Sequence, residues 1–148
     1  MVKFILVLSM LLCGAGNPNE PLDITVRSTE IDVNSHVNNA KYVEYLQWGR
    51  WDFLEKHEIS REKLKLESIA LVVVNINVNY RKPANEGDHL SVRTILKSVG
   101  RSTLTFSQEI YSGDILISDA TVILVTMDTT THKSKEVPDF LRKILHDE

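Results

Sequence analysis

One long helical pattern, followed by nothing but strand and turn signals until near the end of the chain, limits what this sequence can fold into. Between residues 39 and 57, Tyr42, Leu46, Gly49 and Phe53 fall at i, i+4, i+7 and i+11 and share one face, with Val43, Arg50 and Leu54 beside them. Lys41, Glu44, Trp48, Asp52 and Glu55 lie opposite. Gly49 costs such a helix about 1 kcal/mol against alanine, and the backbone of a neighbouring strand packed against it is the expected reason. Upstream, residues 22–28 alternate, with Leu22, Ile24 and Val26 on one side and Asp23, Thr25 and Arg27 on the other, the pattern of a half-buried strand. Downstream, residues 59–67 form a charged connection with room for a helical turn.

Four further strands are predicted at 68–81, 89–99, 102–111 and 115–128. The first is apolar on both faces as far as Val74; it then alternates, Ile76, Val78 and Tyr80 against Asn75, Asn77, Asn79 and Arg81. That profile places it at the centre of a sheet. A Pro/Gly loop at 82–88 and short turns at Gly100-Arg101 and Ser112-Gly113-Asp114 join the strands, so the last three pair as an antiparallel meander. Pro138 opens a short closing helix with Phe140, Leu141, Ile144 and Leu145 on one face. The order β-α-β-β-β-β plus a short helix contains no βαβ alternation. It implies an α+β layer, an antiparallel five-stranded sheet wrapped around one central helix.

A chain of 148 residues is enough for one domain with its own core. A net charge of −3 gives no footprint for nucleic acid. The single cysteine, Cys13, excludes an internal disulfide framework and a cysteine-based zinc cluster. Residues 1–16 differ from the rest: Lys3, an apolar run from Phe4 to Leu12, then Gly14, Ala15 and Gly16. The segment reads either as a secretory signal with cleavage after Ala15, which would export the protein, or as an N-terminal extension of a cytoplasmic one. Its apolar run is short of the roughly 20 residues of a stable membrane span. The turn-rich stretch 17–21 marks the boundary, leaving 17–148 as the single domain.

Chemistry concentrates in residues 31–42, Ile-Asp-Val-Asn-Ser-His-Val-Asn-Asn-Ala-Lys-Tyr, a polar loop that feeds directly into the long helix. A helix start exposes unpaired N–H groups at the positive end of the macrodipole, a place where a carbonyl oxygen gaining negative charge is stabilised. Asp32 just upstream supplies a carboxylate, as nucleophile or general base. The amides around Asn38, Asn39 and Ala40 are candidate oxyanion donors. His36 is a secondary acid/base candidate or a loop-tying histidine, while the Asn38 and Asn39 side chains suit caps and turns. The five histidines show no H-x-x-x-H metal spacing, and neither a G-x-S-x-G elbow nor a phosphate-binding glycine loop is present. No cofactor is expected.

Asp32, His36, Val37, Asn38, Asn39 and Tyr42 match D-x-x-G-H-V-N-N-x-x-Y, and in this the chain resembles the hotdog-fold thioesterases of the 4-hydroxybenzoyl-CoA thioesterase-like group. With Asn34 included, D-x-N-x-H-V-N-N is also similar to acyl-ACP thioesterases. That branch carries an acidic residue before its Tyr-Arg pair, where this chain has Asn79. Ser35 stands in place of the signature glycine and is expected to send the loop along a slightly different path. The stretch Tyr-Arg-Lys-Pro-Ala-Asn-Glu-Gly-Asp at 80–88 resembles the family's strand-end loop.

The resemblance implies a hotdog fold and hydrolysis of an acyl-CoA, with an acyl-ACP thioesterase or a non-catalytic acyl-CoA-binding protein as alternatives. It implies Asp32 with the Asn39 backbone amide as the catalytic pair; Asn34 and His36 match residues proposed to be catalytic in the acyl-ACP branch, and Asn34 and Asn38 are candidates for substrate binding. Tyr42 and Leu46, on the helix face nearest its start, are the candidates for acyl contact. Arg81, Lys82 and Arg101 at strand ends are the candidates for the CoA phosphates. It further implies a homodimer or homotetramer with one continuous sheet across two copies, which edge strands invite.

Overall fold

A computed structural model describes residues 17–146. The N-terminal segment 1–16, with Cys13 and the cleavage site considered after Ala15, lies outside the described residues. The elements run in the expected order: β1 (Leu22–Thr25), a 3-10 turn (Ser28–Glu30), α1 (Asn39–Lys56), α2 (Arg61–Leu66), β2 (Ile69–Tyr80), β3 (His89–Val99), β4 (Thr103–Ser112), β5 (Ile115–Asp128), α3 (Asp139–Arg142) and a final 3-10 turn (Lys143–His146). All five strands form one antiparallel sheet in the order β1-β3-β4-β5-β2. Helix α1 packs on it, giving the α+β hotdog arrangement.

Helix α1 begins where Asn38 accepts a bond from the Ala40 N–H at 2.9 Å, a side-chain cap on one of the four free N–H groups of a helix start. It ends as His57 caps the last turn, its N–H bonding back to Phe53 and Leu54. Tyr42, Tyr45, Leu46, Gly49, Arg50, Phe53 and Leu54 are buried against the sheet, so the apolar stripe does face the core. Gly49 has a different reason from the one expected. A Cβ there would meet side chains, Val92 Cγ1 at 2.6 Å and Thr94 Oγ1 at 3.0 Å, rather than strand backbone.

Two strands depart from expectation. β1 stops at Thr25, because the chain turns into the 3-10 segment whose Glu30 carboxylate takes the Arg27 N–H at 2.8 Å. β2 is at the edge of the sheet, not its centre: it pairs with β5 alone, and Val72, Val73, Val74, Ile76 and Tyr80 are exposed. Its two-sided apolar start has a geometric cause. The register shifts between Val73 and Asn75, inserting Val74 as a bulge. Leu71 and Val73 before the bulge, and Ile76, Val78 and Tyr80 after it, therefore pair with Thr126, Leu124, Val122, Ala120 and Ser118. All five of those partners are buried, so this face of β2 is the α1 side throughout, and the bulge resets an alternation that would otherwise have inverted.

Candidate functional site

The loop from Glu30 to Asn38 is a miniature hairpin. Asn38 N–H donates to the Glu30 carbonyl and Asp32 N–H to the His36 carbonyl, both at 2.9 Å, with Ile31 and Val37 bridged between them. The turn is closed by Ser35 N–H to the Asp32 carbonyl at 3.0 Å. Asp32 Oδ1 also takes the Asn34 N–H at 2.7 Å, an Asx turn. Ser35 sits at φ +63°. This is the left-handed conformation that glycine adopts freely, and here the serine carries the strain. Val37 N–H bonds the Ala84 carbonyl at 2.8 Å, tying this hairpin to the loop after β2.

These bonds set the Asp32 carboxylate beside the first turn of α1. Its side chain is only 19% exposed, and one oxygen is occupied by the loop. His36 Nδ1 is 3.9 Å from that carboxylate, beyond hydrogen-bond range, and 3.3 Å from the Val37 carbonyl. Among the described residues the Asn39 N–H meets no acceptor, as expected of a helix start whose next N–H is already capped by Asn38.

A cleft of about 440 Å³ opens here, lined by Asp32, Asn34, His36, Val37, Asn39 and Tyr42 from the loop and helix, and by Tyr80, Arg81, Lys82 and Pro83 from the end of β2. Tyr42 is buried, its hydroxyl accepting the Ala84 N–H at 3.1 Å, and burial raises its phenol pKa. Tyr80 stands edge-on to it with ring centroids 5.3 Å apart. The cleft therefore brings a carboxylate and the first residue of a helix to a largely aromatic and apolar wall, with two cations at its rim. Arg81 is not a loose cation: Asp119 takes its Nε at 2.5 Å and the Asn79 amide at 2.8 Å.

Of the residues singled out from sequence, Asp32, Asn34, His36, Asn39, Tyr42, Arg81 and Lys82 come together in this cleft. Asn38 caps the helix instead of lining the cavity. Leu46 is fully buried in the core and does not reach the cleft. Arg101 lies at the far end of the sheet, where its carbonyl takes the Val137 N–H at 2.8 Å and the Arg142 guanidinium at 3.1 Å.

Sequence reasoning passed over three features. Tyr80 walls the cleft, and its hydroxyl donates to the Asn39 carbonyl at 3.2 Å. Glu30 is buried, bonded to Arg27 and to the Tyr45 hydroxyl. Arg50 is buried with Gln108 Oε1 at 2.7 Å, and burial pushes its guanidinium pKa down to about 10. A charged residue on the apolar face of a helical pattern was the available signal for Arg50; nothing in the local pattern marks Glu30.

The model of the thioesterase-like superfamily matches residues 26–145. The long-chain acyl-CoA thioesterase FadM of Escherichia coli strain K12 is 38% identical over 125 residues, 82% of this chain and 93% of FadM. The acyl-CoA thioester hydrolase YbgC of Escherichia coli O6:H1 is 29% identical over 116 residues, 78% of this chain and 87% of YbgC. The crystal structure of YbaW from Escherichia coli superposes with a TM-score of 0.74 at 36% identity, covering 85% of this chain and 96% of YbaW.

Proposed function

The chain belongs to the thioesterase-like superfamily, and we propose that it hydrolyses acyl-CoA thioesters to the free acid and CoA. The observation that carries this reading is that Asp32 and Asn39, a carboxylate and the first residue of a helix, line one cleft with an apolar wall. A thioester carbonyl is a good electrophile, and a thiol of ordinary pKa near ~8.5 is a ready leaving group. The demands on the protein are few. Asp32 attacks the carbonyl or takes the proton of the water that does. The Asn39 N–H holds the oxygen as it becomes an oxyanion. Collapse breaks the C–S bond. On the water route it releases the free acid at once, and the proton Asp32 took from water ends on the sulfur of CoA. On the nucleophile route it leaves an acyl anhydride on Asp32, which water then hydrolyses to the free acid, restoring the carboxylate and supplying the proton for the thiol. Tyr42, Tyr80 and Val37 supply apolar contact for the acyl group, and Lys82, with Arg81 beside it, stands at the rim where the CoA phosphates would lie.

We also propose that two copies pair along β2. That strand is hydrogen-bonded on one side only and carries exposed Val72, Val73, Val74 and Ile76; a long apolar edge of this kind is a template for another strand. Because β2 ends at Tyr80 in the cleft wall, such pairing would set the partner beside each site.

The test is steady-state thiol release from acyl-CoAs of graded chain length, long chains included because FadM is a long-chain enzyme, beside the same acyl groups on acyl carrier protein. Turnover of one or more acyl-CoAs is expected. Faster turnover of the carrier-protein esters moves the assignment to acyl-ACP. Binding of acyl-CoA with no turnover makes the protein a non-catalytic binder.

A further inference from the structure

We propose that Glu30 is a positioning residue of this site, fixing the separation between the Asp32 carboxylate and the start of α1. The inference rests on Asp32 as the acting carboxylate and extends it. Glu30 is 2% exposed, and its groups are all engaged. Oε2 accepts the Arg27 N–H at 2.8 Å and the Tyr45 hydroxyl at 2.8 Å; Oε1 accepts the Arg27 guanidinium at 2.9 Å. Its N–H donates to the Arg27 carbonyl at 3.0 Å, and its carbonyl accepts the Asn38 N–H at 2.9 Å.

One residue thus joins three pieces of chain. The carboxylate is bound to Tyr45, which is fully buried on the second turn of α1. The carbonyl is bound to Asn38, the cap of the same helix. The chain from Glu30 reaches Asp32 through Ile31 alone, and Ile31 is already bridged to Val37. Asp32 and Asn39 are therefore each one or two residues from an atom that Glu30 holds. Without the Tyr45 bond, the polar ties that remain between hairpin and helix are the backbone pairs and the Ala84 contact, beside the apolar packing of Val37 and Ile31.

Burying a carboxylate is costly unless it is fully bonded, and here burial, which alone would raise the Glu30 pKa, is outweighed by the bonds from Arg27 and Tyr45, leaving it below the usual range. Mere anchoring of the turn to its own cap would need Arg27 alone. The Tyr45 bond, fifteen residues on, is the one that ties the Glu30 carboxylate itself to the body of the helix.

The experiment compares Tyr45→Phe and Glu30→Gln with Asp32→Asn, reading kcat, KM and thermal melts with one good acyl-CoA. Tyr45→Phe keeps the buried ring and removes only the hydroxyl, so it is the variant expected to stay folded if Glu30→Gln does not. Glu30→Gln cannot accept from all three donors, since one carboxylate oxygen becomes an amide NH₂. The expected result is a kcat fall of about tenfold or more for folded Tyr45→Phe with KM within twofold, because reach and alignment act on the transition state. A purely structural role would lower the melting temperature and leave kcat of the folded protein intact, which overturns the proposal. So would a rise in KM at unchanged kcat. If Asp32→Asn is inactive while Tyr45→Phe turns over normally, only the positioning role fails. If Asp32→Asn itself turns over normally, the catalytic reading beneath it fails.

Discussion

The Tyr80 hydroxyl donates to the main-chain carbonyl of Asn39 at 3.2 Å, so the last residue of the edge strand holds the first residue of the central helix. The same ring stands edge-on to Tyr42. Tyr80→Phe removes the bond and keeps the stack. The bond is solvent-accessible, so its loss should cost stability no more than about 0.5–1.5 kcal/mol. Turnover should fall several-fold, because the peptide that follows the proposed oxyanion donor, the Asn39 amide, is no longer restrained. A melt and a kcat measurement on one protein preparation check both numbers, and a Tyr80→Phe enzyme with unchanged kcat would deny Tyr80 any part in setting the helix start.

The proposed β2–β2 pairing predicts a dimer, or a dimer of dimers, by light scattering at assay concentration. Val74 is the bulge residue and is 57% exposed. Val74→Glu places a like charge on each copy at the seam and should shift the population toward monomer, with loss of activity in step. A wild-type monomer with full turnover refutes the pairing.

How much of this was readable in advance follows from the range of each signal. Helix α1 and the polar loop were legible because periodicity and an N-cap asparagine are local. So was the meander of β3, β4 and β5, marked by short turns. The place of β2 was not. Seven apolar or small residues on both faces look like a central strand, yet Val74 is a bulge and its neighbours face opposite ways on either side of it. Only the pairing partner on β5 reveals that shift. Likewise Glu30 looks like a solvated charge until Tyr45, fifteen residues on, is seen above it. Arg50 and Gln108 are separated by 58 positions. Within the site, Asp32, His36 and Asn39 were found because one short stretch carries them, whereas Tyr80 arrives from another element.

Gly49 tests the helix–sheet contact. Alanine gains about 1 kcal/mol of helix propensity, but its Cβ would lie 2.6 Å from Val92 Cγ1. Val92 is buried and β-branched, with little freedom to yield. Overpacking of this kind costs about 1–3 kcal/mol, so Gly49→Ala should lower Tm on balance. Leu46 one turn earlier is also core. Leu46→Ala should cost about 2–5 kcal/mol and leave the chain-length preference of the enzyme where it was. A changed preference with little loss of stability would put Leu46 in contact with the acyl group after all.

Asp32→Asn and His36→Ala separate the proposed acting carboxylate from its neighbour. Asp32→Asn preserves shape and can still accept the Asn34 N–H through its amide oxygen, so the Asx turn survives. What is lost is the charge: an amide is neither a competent nucleophile nor a useful base. Substrate should bind with little change in KM while kcat falls. Loss of a general base corresponds to about 10²–10⁴-fold, and loss of a nucleophile to more. His36 is differently placed. Its Nδ1 is 3.9 Å from Asp32, too far to orient it by a hydrogen bond, and nearer to the Val37 carbonyl at 3.3 Å. The loop that carries Asp32 is held by backbone bonds from Asp32, Ser35, Val37 and Asn38, none of which uses the imidazole. His36→Ala should therefore lower kcat by less than Asp32→Asn, with a melt close to wild type. Steady-state hydrolysis of several acyl-CoAs by the two variants decides the order. If Asp32→Asn keeps near-normal turnover and His36→Ala does not, the acting group is the histidine, and the carboxylate is a turn-former.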